Sequence, residues 1–257
     1  RCSKAFPSLT RVFQSPSPQS RTEQWDVAAK SQFLLGNSDF LPKVRDMANL
    51  LYETLFARHA GKTTPFLFLE NDRVLTHGAF VIHAAQLAHA ITAKGLGPGD
   101  RLSAQVEKSP AALALYAACV QAGIVFLPLN PAYTRDEVAY FVKDSGAKLL
   151  VCDEGVENSY SDMGVPLETL NADGSGSLTR AARTQPATFQ TTSRQPDDLT
   201  ALLYTSGTTG RSKGAMLTQT NLLSNAETLA RLWQFTDRDV LLHALPIFHT
   251  HGLFVAT

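Results

Sequence analysis

Between Leu102 and Cys152, short runs of apolar residues alternate with longer helix-like stretches, and this alternation leaves few folds open. Leu102–Val106, Ile124–Leu127 and Lys148–Cys152 have the length and apolar content of buried strands. Residues 110–122 are alanine-rich. Ser109-Pro110 supplies a cap followed by proline at the first helical position, and Gly123 supplies a stop. Thr134 with Glu137 forms a capping box that opens a second helix, with Val138, Phe141 and Val142 facing inward and Gly146 ending it. Strands alternating with helices predict an α/β fold: parallel strands in a sheet flanked by helices.

The same region holds a stretch with no charged residue, from Ser109 to Thr134, long enough on paper to span a bilayer. Gly123 and Pro128 interrupt it, and a buried helix followed by a buried strand accounts for it without lipid, so no transmembrane segment is expected. Upstream, residues 43–58 predict an amphipathic helix with Val44, Met47, Leu51 and Leu55 on one face. Phe66–Leu69 and Arg73–Thr76 flank Asn71-Asp72 as a hairpin, and residues 79–93 form a further helix closed by Gly95. His83 and His89 fall on that helix as half-exposed residues. Downstream, residues 171–198 are rich in Ser, Thr, Gly, Gln and Asp without apolar periodicity and read as a loop or linker. The rhythm returns with a strand at Leu199–Tyr204, a helix over 219–234 with Leu222, Ala226, Leu229 and Trp233 on one face, and a strand at Val240–Leu245.

Residues 1–22 contain Arg1, Lys4, Arg11 and Arg21 and no acid, amid serines and prolines. That composition fits either a mitochondrial or plastid transit peptide or a disordered tail. The organisation expected is therefore a transit-peptide-like or disordered tail over 1–40, a first α/β subdomain over 41–170, the linker over 171–198, and the start of a second α/β subdomain over 199–257. The chain opens on Arg rather than Met and closes in an apolar run, so it reads as the N-terminal part of a longer chain.

Charge excludes some functions. Lys and Arg total 23 and Asp and Glu total 23, so there is no electrostatic footprint for nucleic acid or an anionic membrane surface. Cys2, Cys119 and Cys152 form no Cys-x-x-Cys pair, which argues against a disulfide framework and a structural zinc site.

The chemistry is concentrated in Thr205-Ser206-Gly207-Thr208-Thr209-Gly210-Arg211-Ser212-Lys213-Gly214. Glycines let the backbone turn tightly and leave amide N–H groups unshielded. Backbone donors, hydroxyls and a cation in one loop suit a polyphosphate. A flexible surface loop would have similar composition, but this one directly follows an apolar strand, where phosphate loops commonly sit. It is not a Walker A loop, because Lys213 precedes Gly214 instead of following a glycine and preceding a hydroxyl, and Gly-x-Gly-x-x-Gly is absent.

Tyr204–Gly214 resembles the signature loop of the acyl-adenylate-forming superfamily, which includes acyl-CoA synthetases, firefly-type luciferases and peptide-synthetase adenylation domains. Leu245-Pro246-Ile247-Phe248-His249-Thr250-His251-Gly252 resembles that superfamily's Leu-Pro-x-Phe/Tyr-His-x-x-Gly segment. Gln121–Leu129 more weakly resembles its Lys-Ala-Gly-x-x-x-x-Pro-Leu segment. Arg211-Ser212-Lys213, where most acyl-CoA synthetases have proline before the lysine, and Ala244–Ala256 look like the malonyl-CoA synthetase branch.

The resemblance implies an ATP-dependent acid–thiol ligase that activates a short (di)carboxylic acid, with malonate foremost. A carboxylate attacks the α-phosphorus of ATP, and the coenzyme A thiol then attacks the acyl-adenylate. It implies that Thr205, Ser206, Gly207, Thr208, Thr209, Gly210 and Lys213 hold the ATP phosphates, with Mg²⁺ bridging oxygens. Lys213 and His249 would be catalytic, and His249 and His251 would meet the acid. The alternative for both histidines is packing within the fold. His-x-His without an accompanying acidic cluster is not read as a metal pair. By the same resemblance the adenine-binding segment, its Mg²⁺ ligand and the small C-terminal domain would follow Thr257, so this stretch alone is expected to be inactive. Mitochondrial relatives would suit the N-terminal composition. Two other readings stay open: a short non-catalytic interaction or regulatory form, and an unrelated nucleotide-binding phosphohydrolase.

Overall fold

The computed structural model describes residues 48–205 and 212–255. The tail, positions 43–47 of the helix expected over 43–58 and positions 206–211 of the glycine-rich loop lie outside the described residues.

The first elements are α1 (Leu50–Leu55), continued by a tighter turn over Ala57–His59, and the antiparallel hairpin β1 (Pro65–Phe68) and β2 (Val74–Thr76). Asn71 and Asp72 both adopt positive φ, 58° and 56°, the conformation a tight hairpin turn demands. Thr76 caps α2 (His77–Ala93) by accepting from the Ala79 N–H. Then follow β3 (Arg101–Gln105), α3 (Pro110–Ala122), β4 (Val125–Pro128), α4 (Arg135–Ser145), β5 (Leu149–Cys152), α5 (Glu157–Tyr160), β6 (Leu167–Thr169) and α6 (Ser177–Ala182). The last regular elements are β7 (Leu199–Thr205), β8 (Lys213–Thr218), α7 (Gln219–Leu232) and a π-helical turn over His251–Val255.

β3 to β8 form one six-stranded sheet in the order β6-β5-β3-β4-β7-β8, parallel except for the β7–β8 pair. The register aligns Leu149, Leu102, Phe126 and Ala201 in one row across four strands. That row faces a core shared with α2 and α3, while Leu150, Leu127 and Leu202 face a second core with Val138, Phe141 and Val142 of α4. The sheet is thus covered on both faces, as a parallel sheet requires. α3 has the expected ends: Ser109 accepts from the Ala112 N–H, Pro110 opens it, and Gly123 closes it at φ 71°. Every residue from Ala111 to Ala122 is buried in protein. No helix among the described residues is long and apolar enough to cross a membrane.

Five expectations need correction. Residues 171–198 are not a featureless linker. They contain α6, with Leu178 and Ala182 buried, and a strap held by side chains from elsewhere. Gln121 Nε2 donates to the Phe189 carbonyl (3.1 Å) and Asn49 Nδ2 to the Thr192 carbonyl (3.2 Å), while His89 Nε2 meets the Thr188 carbonyl at 2.8 Å. Leu199–Thr205, expected to start a second α/β subdomain, joins the same sheet as the earlier strands: β7 pairs with β4 through Ala201 and Phe126. Lys213 and Gly214, read as the end of the glycine-rich loop, instead open strand β8 (Lys213–Thr218). The run at 240–245 is not a strand. Val240, Leu241, Leu242 and Leu245 are exposed, and no strand among the described residues lies beside them. α7 stops at Leu232. Leu222 is buried as expected, but Trp233 is 54% exposed.

Candidate functional site

The glycine-rich segment leaves the carboxyl end of β7, the place where parallel sheets present ligands. β8 returns antiparallel, with Tyr204 opposite Gly214 and Thr205 opposite Lys213. The hairpin therefore brings both ends of the segment together, with Thr205 and Lys213 exposed and adjacent across the ladder. Ser206, Gly207, Thr208, Thr209 and Gly210 lie outside the described residues.

The base of the hairpin rests on α4. Tyr204 Oη donates to Asp144 Oδ2 (2.5 Å), and Tyr140 Oη donates to the Ser212 carbonyl (3.1 Å). The rings of Phe141 and Tyr204 approach to 4.6 Å. Burial, and then the bonded Asp144 carboxylate, push the Tyr204 phenol well above its ordinary range, so it remains a donor. Tyr133, Glu137, Tyr140, Asp144 and Ser212 line an open groove at this junction.

The second motif is a turn after Pro246. His249 and His251 are both exposed on it, and the His249 ring lies 4.4 Å from the Phe248 ring. Gly252 is required for steric reasons: a Cβ there would fall 2.0 Å from the Pro246 carbonyl oxygen. His243 Nε2 lies 2.7 Å from the Gly252 carbonyl, which only accepts, so Nε2 carries the proton. Lys108 Nζ donates to the His243 and Leu245 carbonyls (2.9 and 3.3 Å), and Asn225 Nδ2 to the Phe254 carbonyl (3.4 Å). The turn is thus tied to the start of α3 and to α7. Sequence reading did not find Lys108, Tyr140 or Asp144, whose partners lie 60 or more residues along the chain, or His243, whose partner lies nine residues on.

Among the described residues no group of three or more His, Cys, Asp or Glu could hold a metal ion. Cys119 and Cys152 are buried free thiols. Burial raises both, Cys152 to about 12, so neither is a nucleophile at neutral pH.

The family described as AMP-binding enzyme matches residues 55–257. The chain is 32% identical over 219 residues to the fatty acid–[acyl-carrier-protein] ligase ScoC of Streptomyces coeruleorubidus, covering 82% of this chain and 41% of that protein. It is 29% identical to a sulfoacetate–CoA ligase of Cupriavidus necator, covering 83% of this chain and 43% of that one. Among solved structures, apo and ATP-bound MatB from Rhodopseudomonas palustris superpose with TM-score 0.78 at 47% identity, over 82% of this chain and 42% of theirs. The chain spans about two fifths of the length of these relatives. The chain belongs to the AMP-binding enzyme family and has the fold of the N-terminal domain of adenylate-forming enzymes.

Proposed function

We propose that the protein is an ATP-dependent acid–CoA ligase that makes an acyl-adenylate and passes the acyl group to coenzyme A, with malonate as its acid. The observation that carries this reading is the β7–β8 hairpin, which sets Lys213 opposite Thr205 at the two ends of a glycine- and hydroxyl-rich segment. A carboxylate oxygen of the acid forms a bond to the α-phosphorus, and the bond to the β-phosphate oxygen breaks, releasing pyrophosphate. The Lys213 ammonium neutralises charge that builds on the leaving pyrophosphate. Thr205, Ser206, Gly207, Thr208, Thr209 and Gly210 orient the β- and γ-phosphates through hydroxyls and backbone N–H groups. His249 lies toward the reacting carboxylate, and His251 binds the distal carboxylate of a diacid. The coenzyme A sulfur then bonds to the acyl carbon and AMP leaves. Mg²⁺ accompanies ATP by family resemblance.

Malonate is favoured by Arg211-Ser212-Lys213 and by Ala244–Ala256, and the 47% identity to MatB supports that branch. Two further proposals accompany it. Residues 1–257 alone do not sustain turnover, in keeping with their covering 42% of MatB. The acid-free Arg- and Ser-rich N-terminus directs the protein to mitochondria, which fusion of residues 1–40 to a fluorescent reporter tests.

The substrate assay incubates the full-length protein and ATP with malonate, methylmalonate, acetate or no acid, and follows AMP and pyrophosphate. Malonate-dependent AMP formation is expected. ADP and phosphate release without any acid would overturn the ligase reading in favour of a phosphohydrolase.

A further inference from the structure

We propose that Tyr140 and Asp144 of α4 are positioning residues for the phosphate-handling hairpin, an inference that rests on the function proposed above. The two side chains sit one helical turn apart on α4, and each takes hold of one arm of the hairpin. Tyr140 Oη donates to the Ser212 carbonyl, and Asp144 Oδ2 accepts from the Tyr204 hydroxyl. Tyr204 immediately precedes Thr205, and the Ser212 carbonyl belongs to the peptide plane that carries the Lys213 nitrogen. Fixing those two groups fixes where the chain enters and leaves the glycine-rich segment.

The hairpin needs such support. β8 is an edge strand, paired to β7 on one side alone, and its residues Lys213–Met216 are exposed. α4 is a firm base, because Val138, Phe141 and Val142 bury it against the sheet and its capping box fixes its amino end. Phe141 sits between the two hydrogen-bonding positions and packs on the Tyr204 ring, so the clamp has an apolar middle and a polar contact at each end. Lysine placement matters here because the catalytic benefit of a cation on a leaving phosphate falls off steeply when it is misplaced.

The test uses the full-length protein and acid-dependent ATP–pyrophosphate exchange. Tyr140→Phe keeps the ring and removes the donor, and Asp144→Ala removes the acceptor. Each is expected to raise the KM for ATP, or lower the exchange rate, by about five- to ten-fold, the size of one lost hydrogen bond. The KM for the carboxylic acid should stay unchanged, and the Tm should fall by no more than the roughly 2–4 °C that one hydrogen bond carries. Asp144→Asn retains an acceptor oxygen and should restore the parent behaviour. Tyr204→Phe combined with Asp144→Ala should be no worse than either alone. A second readout needs no activity: tryptic cleavage after Arg211 and Lys213 should quicken in Tyr140→Phe and Asp144→Ala. ATP kinetics and cleavage rates within two-fold of the parent would overturn the inference while leaving the ligase reading intact. Equal losses toward ATP and acid with a larger fall in Tm would reduce the contacts to a structural role and overturn it too. If the parent shows no acid-dependent exchange, the ligase reading falls and this inference falls with it.

Discussion

Asn49 is the residue whose loss should cost the fold most per atom removed. Its amide is fully buried, and all four of its hydrogen-bonding positions are used. Nδ2 donates to the Val120 carbonyl at the end of α3 (2.8 Å) and to the Thr192 carbonyl of the strap (3.2 Å). Oδ1 accepts from the Tyr52 N–H as the cap of α1 (3.2 Å) and from Gln219 Nε2 at the start of α7 (3.1 Å). Gln219 in turn accepts from the Leu51 N–H at 3.0 Å. One side chain therefore joins four segments that are distant in sequence. Asn49→Ala removes a helix cap worth about 1 kcal/mol. It also takes a partner from the Val120 carbonyl, which keeps the Gly123 N–H, from the half-buried Thr192 carbonyl and from the buried Gln219 amide. At roughly 1 kcal/mol each, the low end for such groups, these add about 3 kcal/mol. The total of about 4 kcal/mol corresponds to a fall in Tm of roughly 8–16 °C for a domain of this size. Reversible urea unfolding of the parent and variant measures it. Arg135→Ala serves as the exposed control: it breaks the surface pair with Asp162, which solvent screens, and should leave stability close to the parent's. A loss below about 1 kcal/mol in Asn49→Ala would refute the reasoning, since the freed groups would then have found other partners.

Gly252→Ala should destabilise the histidine-bearing turn by roughly 1–3 kcal/mol, because the obstructing atom is the rigid Pro246 carbonyl; chemical unfolding reads it. His59 is held at about 4, first by burial and then by the positive charges of His77, Lys62 and Arg58. Its folded value is depressed, so the unfolded chain binds the extra proton between pH 6.5 and 4. Stability should be intact above 6.5 and fall through that window, and His59→Gln should flatten the fall in pH-dependent melting. The exposed apolar run Val240, Leu241 and Leu242, with Leu232 and Trp233 nearby in sequence, should make the 257-residue polypeptide self-associate. Light scattering should show this, and Leu242→Gln should reduce it.

Much of this architecture is written locally. Ser109-Pro110 with Gly123, and Thr134 with Glu137, mark helix ends through contacts three or four residues away, and the structure places both helices within a residue or two of where those marks predict. The alternation at 102–152 settled the parallel sheet for the same reason. What was not legible depends on distant partners. β8 is short and exposed, and only its pairing with β7 makes it a strand. The strap at 188–194 has no periodicity because its backbone is satisfied by Asn49, His89 and Gln121 from other elements. The run at 240–245 has strand-forming residues but no neighbouring strand among the described residues, and composition cannot report that. At the site, resemblance of the two motifs singled out Lys213, His249 and His251 as candidates, while the α4 side chains beneath the hairpin became visible only once Tyr140 and Ser212 were brought within 3.1 Å.

The most direct test of the hairpin's role compares acid-dependent ATP–pyrophosphate exchange in the full-length parent and in Lys213→Ala. The account predicts malonate-dependent exchange in the parent and a loss of roughly a hundred-fold or more in the variant, the size of removing one preorganised charge from a transition state. Tm should be unchanged, since Lys213 is exposed. Undiminished exchange in Lys213→Ala would contradict the assignment of this lysine to the leaving pyrophosphate.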